Sequence, residues 1–275
     1  MKKTKNVVVS SLFMASLMTG CNEKTSKSST VTTNFALTGS GQDAVALNHI
    51  QKAFSFIIPT AIALDPPLLE DSTGLNVSLD NAWIVIKKIQ FKSSETAEAG
   101  EGSETNSHYR GPFVIDLLSN SPAPFGDIQV SKDGLRRVKM LLHKASELPA
   151  SAPVALTNKS IYLSGTVDGH AFSYAADDTT DFEISGPNAI VPEESKDLLA
   201  VIRLADMIKK INMSGITSAT DIHASARFPA VNPCPLIHQN APDLYTCFVK
   251  GIASEAKFGK DNGDKDLDES DETVE

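Results

Sequence analysis

The sequence predicts a mainly β protein: an antiparallel β-sandwich with one C-terminal helix and disordered termini. Three observations carry this. Between residues 35 and 204 the apolar stretches are short, β-branched and bounded by turn residues. Within them apolar side chains recur every second residue, the spacing that turns one face of a strand toward a core. Runs of ten or more residues with helical spacing are scarce before residue 240, which argues against helices alternating with parallel strands.

The first strong strand signal is "LNVSLDNAWIVIKKIQF" (75–91). Leu75, Val77 and Leu79 share one face; after a break at Asp80–Asn81, Ala82, Ile84 and Ile86 alternate with Trp83 and Val85. "FVIDLL" (113–118) and "GLRRVKMLL" (134–142) continue the pattern. In "KSIYLSGTVDGHAFSYAAD" (159–177), Asp168–Gly169 separates two alternating runs, a hairpin signal because such turns need positive φ at both centres. "DFEISG" and "DLLAVIRL" read as further strands, and "ADMIKKINM" as a brief helix. The C-terminal helix starts at Asn240, with Asp243 echoing a capping box. Leu244, Phe248, Ile252 and Ala256 recur every four residues with Tyr245 and Val249 flanking, and Lys257, Gly259 and Lys260 make a fitting end.

Ahead of this body lies an export signal, residues 1–20. Lys2, Lys3 and Lys5 precede an apolar run from Val7 to Met18, too short to span a bilayer. Thr19 and Gly20 then precede Cys21, and the chain turns polar at once. This resembles the lipobox of bacterial lipoproteins, with Met18 where leucine is usual. The resemblance implies a thioether-linked diacylglycerol on Cys21, cleavage before it, and acylation of the new amino terminus. Several acyl chains, at ~0.8 kcal/mol per buried methylene, fasten a protein to a membrane where one does not. It also implies a location in the cell envelope, and in the outer membrane where two membranes are present, because Asn22 replaces aspartate. An ordinary signal peptide with Cys21 incidental is the alternative. Residues 21–34 read as a flexible tether, since Ser, Thr, Lys and Asn cannot bury enough apolar area to offset ordering.

Assigning Cys21 to lipid leaves Cys234 and Cys247 as an even pair, 13 residues apart, in a compartment where disulfides persist. Their closure, worth about 3 kcal/mol in the chain-entropy model, would staple the helical unit 231–260. Metal ligation with His238 and two buried free thiols are the other readings.

Two acidic segments stand out. Residues 93–108 insert Glu95, Glu98, Glu101 and Glu104 among Gly, Ser and Thr, the composition of a loop within the 35–230 domain. Residues 261–275 hold eight acids and one lysine. There Asp264, Asp266, Asp268, Ser270, Glu272 and Glu275 fall at positions 1, 3, 5, 7, 9 and 12 of a calcium loop, with Glu269 where glycine usually permits the turn. A disordered, solubilising tail is the alternative, and no other cofactor is implied.

The succession "NVSLDNAWIVIKKIQF", "GPFVIDLL", "DGLRRVKMLL", "SIYLSGTVDGHAFSY" and "DLLAVIRLADMI" resembles an uncharacterised β-sandwich domain found in many bacterial lipoproteins. That resemblance implies a fold and an anchor and carries no activity.

The formal charge is −9, and removing the three signal-peptide lysines leaves −12. With no run of basic residues, nucleic acid is not an expected partner. No Gly-x-Ser-x-Gly, His-Glu-x-x-His or phosphate-cradling glycine loop occurs. The six histidines (49, 108, 143, 170, 223 and 238) are scattered, and Asp177, Asp178 and Asp181 follow a hairpin. The expectation is a lipid-anchored envelope protein that binds or scaffolds an envelope or extracellular ligand without catalysis. A surface hydrolase acting on polysaccharide or peptide and a calcium-responsive lipoprotein are the alternatives.

Overall fold

The computed structural model describes residues 30–39, 69–93, 107–119, 121–132, 134–194, 196–237 and 240–274. Cys21, residues 22–29, most of the acidic insertion and Glu275 lie outside them. In chain order the strands are β1 (Thr30–Thr38), β2 (Leu69–Glu70), β3 (Asn76–Lys92), β4 (His108–Asp116), β5 (Ala123–Ser131), β6 (Leu135–Leu142), β7 (Ile161–Val167), β8 (His170–Ala176), β9 (Asp181–Ile190) and β10 (Leu198–Ile202). Helix α1 (Leu204–Lys209), β11 (Thr220–His223), α2 (Leu244–Ser254), β12 (Ala256–Lys260) and β13 (Glu272–Thr273) follow. They form two sheets: a five-stranded one ordered β13-β12-β10-β1-β5, and an eight-stranded one whose path β11-β8-β7-β3-β6-β9 carries β2 and β4 on β3.

The long strand β3 organises the larger sheet. Its register slips at Leu79/Asn81 against β7 and at Ile86/Lys88 against β4 and β6. Each extra residue flips which parity faces inward, so the buried side chains run Val77, Leu79, then Ala82, Ile84, Ile86, then Ile89, Phe91. The expected break at Asp80–Asn81 is thus a bulge within one strand. Gly165 backs it, where a Cβ would overlap the Ser78 carbonyl oxygen. The hairpin between β7 and β8 turns at Asp168 and Gly169, with φ 49° and 83°.

Phe35 of β1 centres the shared core, its ring 5.1 Å from Phe91 and 5.2 Å from Phe125. Trp83 and Val85, on the opposite face of β3, pack with Ala145 and Leu156 in a second small core.

Five expectations need correction. Residues 30–34, read as tether, are strand: Val31 and Thr33 point inward, and the Thr33 hydroxyl donates to Lys196 O at 2.8 Å, which satisfies a polar group inside a core. Antiparallel pairing is not universal, since β1–β10 and β8–β11 run parallel. The helix cap is Asp243, whose carboxylate accepts from Thr246 N at 2.7 Å and also binds Arg227 Nε at 3.0 Å. That helix, the second of two α-helices among the described residues, stops at Ser254. Ala256 and Phe258 are buried on β12, which pairs with β10, because four-residue spacing also satisfies a period of two. Finally, residues 261–274, read as disordered, fold back onto the body and end in β13.

Candidate functional site

The folded-back C-terminal segment, a strap, makes one wall of a groove of about 700 Å³. Its construction begins with turns. The Asp261 carboxylate accepts from Gly263 N at 2.8 Å and Lys265 N at 3.1 Å, reversing the chain with Gly263 at φ 108°. Asn262 then reaches across: its Nδ2 donates to Ser270 Oγ at 3.0 Å and its backbone N–H to Asp271 Oδ1 at 3.1 Å. Asp268 Oδ1 accepts from the Ser270 amide at 2.6 Å, and Asp271 Oδ2 from the Asp268 amide at 2.8 Å. The strap's carboxylates therefore hold its own backbone.

Apolar burial docks it. Leu267, 1% exposed, packs on Leu199 and Val201 of β10 with Ala36 of β1 beside them. Arg203, at the end of β10, donates through Nη2 to the Leu267 carbonyl and stands 3.7 Å from Asp206. At the far end, the Lys260 ammonium, 6% exposed, lies between Glu193 (2.7 Å) and Glu272. The Val274 amide donates to Phe258 O at 3.1 Å.

Arg203 and Lys257 line the groove together with Leu267, Asp268, Glu269, Ser270, Asp271 and Thr273. Opposite charges thus line a concave surface. Burial pushes the Asp266 carboxyl up, assisted by Asp264 and Asp268 and opposed by the Leu267 N–H and Arg203. Burial raises Asp271 likewise, against the Asp268 and Asn262 N–H groups. Burial alone would lower Lys260, but its bonds to Glu193 and Glu272 hold the ammonium above its ordinary value, and Lys260 draws Glu193 down.

Of the six residues with calcium-loop spacing, Asp264 accepts from Asp266 N, Asp266 from Leu267 N, Asp268 from Ser270, and Glu272 turns to Lys260. Among the described residues no three His, Cys, Asp or Glu form a group able to hold a metal ion. Cys234 and Cys247 stand at disulfide distance, Cα–Cα 5.5 Å, joining α2 to the loop after β11.

The histidines stay apart. His143 Nδ1 lies 3.4 Å from Thr179 Oγ1, and His223 Nδ1 3.0 Å from Ser225 Oγ, while His49 and His238 lie outside the described residues. Asp177, Asp178 and Asp181 do structural work: Asp178 accepts from Tyr245 Oη at 2.6 Å, Asp177 stands 3.8 Å from Lys144, and Asp181 pairs with Lys139. Burial, then that Asp178 bond, pushes the Tyr245 hydroxyl up.

Arg203 and Lys257 are the groove residues that sequence reading missed. Lys257 enters the sequence pattern only as part of a helix end, and the one trace of Arg203 is the arginine closing "DLLAVIR", 64 residues from Leu267, whose carbonyl it binds. Sequence reading also found no basic run, yet strand register brings cations together on the outward face of β3, β4 and β6.

No family model, curated protein or solved structure matches the chain.

Proposed function

We propose that this is a lipid-anchored cell-envelope protein that binds a ligand or scaffold partner without catalysing a reaction. One observation carries the anchor: three lysines, a short apolar core and Thr19-Gly20 lead directly into Cys21 and a polar stretch. Strand β1 begins at Thr30, nine residues beyond that cysteine. At roughly 3.3–3.6 Å per residue the connection reaches about 30 Å, so an acylated Cys21 holds the folded body against its membrane. Where the envelope has two membranes, Asn22 favours the outer one.

The groove between the strap and Arg203 supports the binding role. Its lining supplies the Arg203 guanidinium, the Lys257 ammonium, the Glu269 carboxylate and hydroxyls, groups that recognise a charged ligand by hydrogen bonds. We further infer that the two sheets oppose each other as a sandwich, a reading supported by the Phe35 contacts with Phe91 of the other sheet. In an oxidising envelope the Cys234–Cys247 pair closes as a disulfide.

Fractionation tests the anchor. The native chain sediments with envelopes, and the Cys21→Ser chain is released to the soluble fraction. Equal retention of both chains contradicts the reading.

A further inference from the structure

The outward face of the larger sheet carries a charge pattern unlike the rest of this acidic chain. Residues alternating with buried Ile89 and Phe91 point away from the core: Lys88, Gln90 and Lys92. The register sets Lys88 opposite Arg110 on β4, Gln90 between His108 on β4 and Lys139 on β6, and Lys92 opposite Arg137 on β6. Neighbouring strands lie about 4.8 Å apart and alternate residues along a strand about 6.8 Å, so Lys88, Lys92, Arg110 and Lys139 share a patch roughly 15 Å on a side, with Arg137, 8% exposed, buried at its edge. Among the described residues its acidic partners stand on β9, while Glu95, Glu98, Glu101 and Glu104, in the segment joining Lys92 to His108, lie outside the described residues. Glu183 and Asp181 on β9 pair with Arg137 (3.2 Å) and Lys139. On the other side, residues 86–92 and 108–114 contain no acid.

A short chain of contacts links this face to the start of β1. Thr32 pairs with Gln129 of β5, whose carbonyl accepts from the Ser107 hydroxyl. The Phe91 amide in turn donates to Ser107 O at 3.1 Å, and Lys92 is the next residue. Three strand-scale steps, about 15 Å, therefore separate the start of β1 from the patch, half the reach of the nine-residue tether.

We propose that the outward face of β3, β4 and β6, led by Lys88, Lys92 and Arg110, docks on anionic lipid headgroups of the bilayer that holds Cys21. The inference rests on the lipid-anchor reading and adds an orientation to it. The chain's net negative charge does not oppose this docking strongly. At physiological salt, charges beyond about 8 Å are screened, so the patch in contact decides the interaction.

The test uses the mature chain, residues 21–275, as Cys21→Ser, so that acyl chains contribute nothing. It is sedimented with phosphatidylcholine vesicles with and without phosphatidylglycerol. Binding requires phosphatidylglycerol and weakens steeply between about 0.05 and about 0.5 M salt. Each cation near an anionic surface contributes about fivefold, so Lys88→Gln/Lys92→Gln/Arg110→Gln loses about 100-fold. Lys88→Arg/Lys92→Arg retains binding, and Lys196→Gln/Lys209→Gln/Lys250→Gln, an equal charge change elsewhere, loses little. Equal binding to neutral vesicles, equal losses in both triple variants, or binding to soluble dextran sulfate but not to vesicles overturns the proposal. Palmitate labelling of the native chain separates the two readings. A labelled native chain whose Cys21→Ser form ignores anionic vesicles overturns the docking face and leaves the anchor standing; an unlabelled chain removes both.

Discussion

Truncating Leu267 to alanine tests whether the C-terminal segment is a docked strap with its own stability. Leu267 is 1% exposed and meets Leu199, Val201 and Ala36 in an apolar cluster separate from the main core. Leucine-to-alanine changes in cores cost about 2–5 kcal/mol, more where the cavity cannot collapse. One side of this site is a short loop able to settle inward, so about 2–3 kcal/mol is expected. At about 1.4 kcal/mol per tenfold, undocking becomes about 30- to 150-fold more favourable. Hydrogen exchange reads this directly. The Val274 amide, protected by Phe258 O, exchanges faster by that factor, while amides of β3 and β7 in the main sheet change little. Unchanged exchange at Val274, or an equal rise throughout β3 and β7, refutes the idea of a strap held by this plug.

Three further outcomes follow from the same contacts. Asp71 is buried and accepts from Thr73 N, Thr73 Oγ1, Leu75 N and Met213 N at 2.7–3.0 Å, so Asp71→Ala strands several buried donors. A loss of about 3 kcal/mol in urea unfolding is expected, and a loss below about 0.5 contradicts that role. Acid affects the strap in two stages. Burial raises Asp266 and Asp271, so docking tightens as pH falls from neutral through their raised values toward the ordinary carboxylate range. Glu193, held low by Lys260, contributes fully above the ordinary carboxylate value and loses its contribution as pH falls through the depressed one. Val274 protection therefore peaks in mild acid, and a flat profile speaks against these assignments. Calcium added to saturation leaves the melting temperature unchanged, since the strap carboxylates already serve its turns and Lys260; a rise abolished by Asp264→Ala would show a cation site there.

Local signals in the sequence were read correctly where the physics is local. Asp168–Gly169 needs positive φ at two adjacent residues, and only such a pair makes that turn cheap. The break at Asp80–Asn81 marks the first parity change in β3, from Leu79 to Ala82, whereas the second, from Ile86 to Ile89, is a bulge that the sequence analysis did not single out. Reading failed where two patterns coincide or where partners are distant. Leu244, Phe248, Ile252 and Ala256 continue one helical period, yet Ala256 and Phe258 answer β10 across the sheet. Thr30–Asn34 looked too polar for a strand because the inward Thr33 is satisfied by Lys196, 163 residues away. In the acidic strap, Leu267 and Val274 were the available clue: two apolar residues in an otherwise charged run, both buried. Arg203 and the groove depend on register that no local window contains.

The proposed lipid anchor carries the proposed location and the proposed orientation of the basic face, and mass spectrometry of the N-terminal peptide tests it most directly. The account predicts a mature chain beginning at Cys21 and carrying diacylglycerol on sulfur and an acyl group on nitrogen. An N-terminus elsewhere, or an unmodified Cys21 thiol, contradicts it.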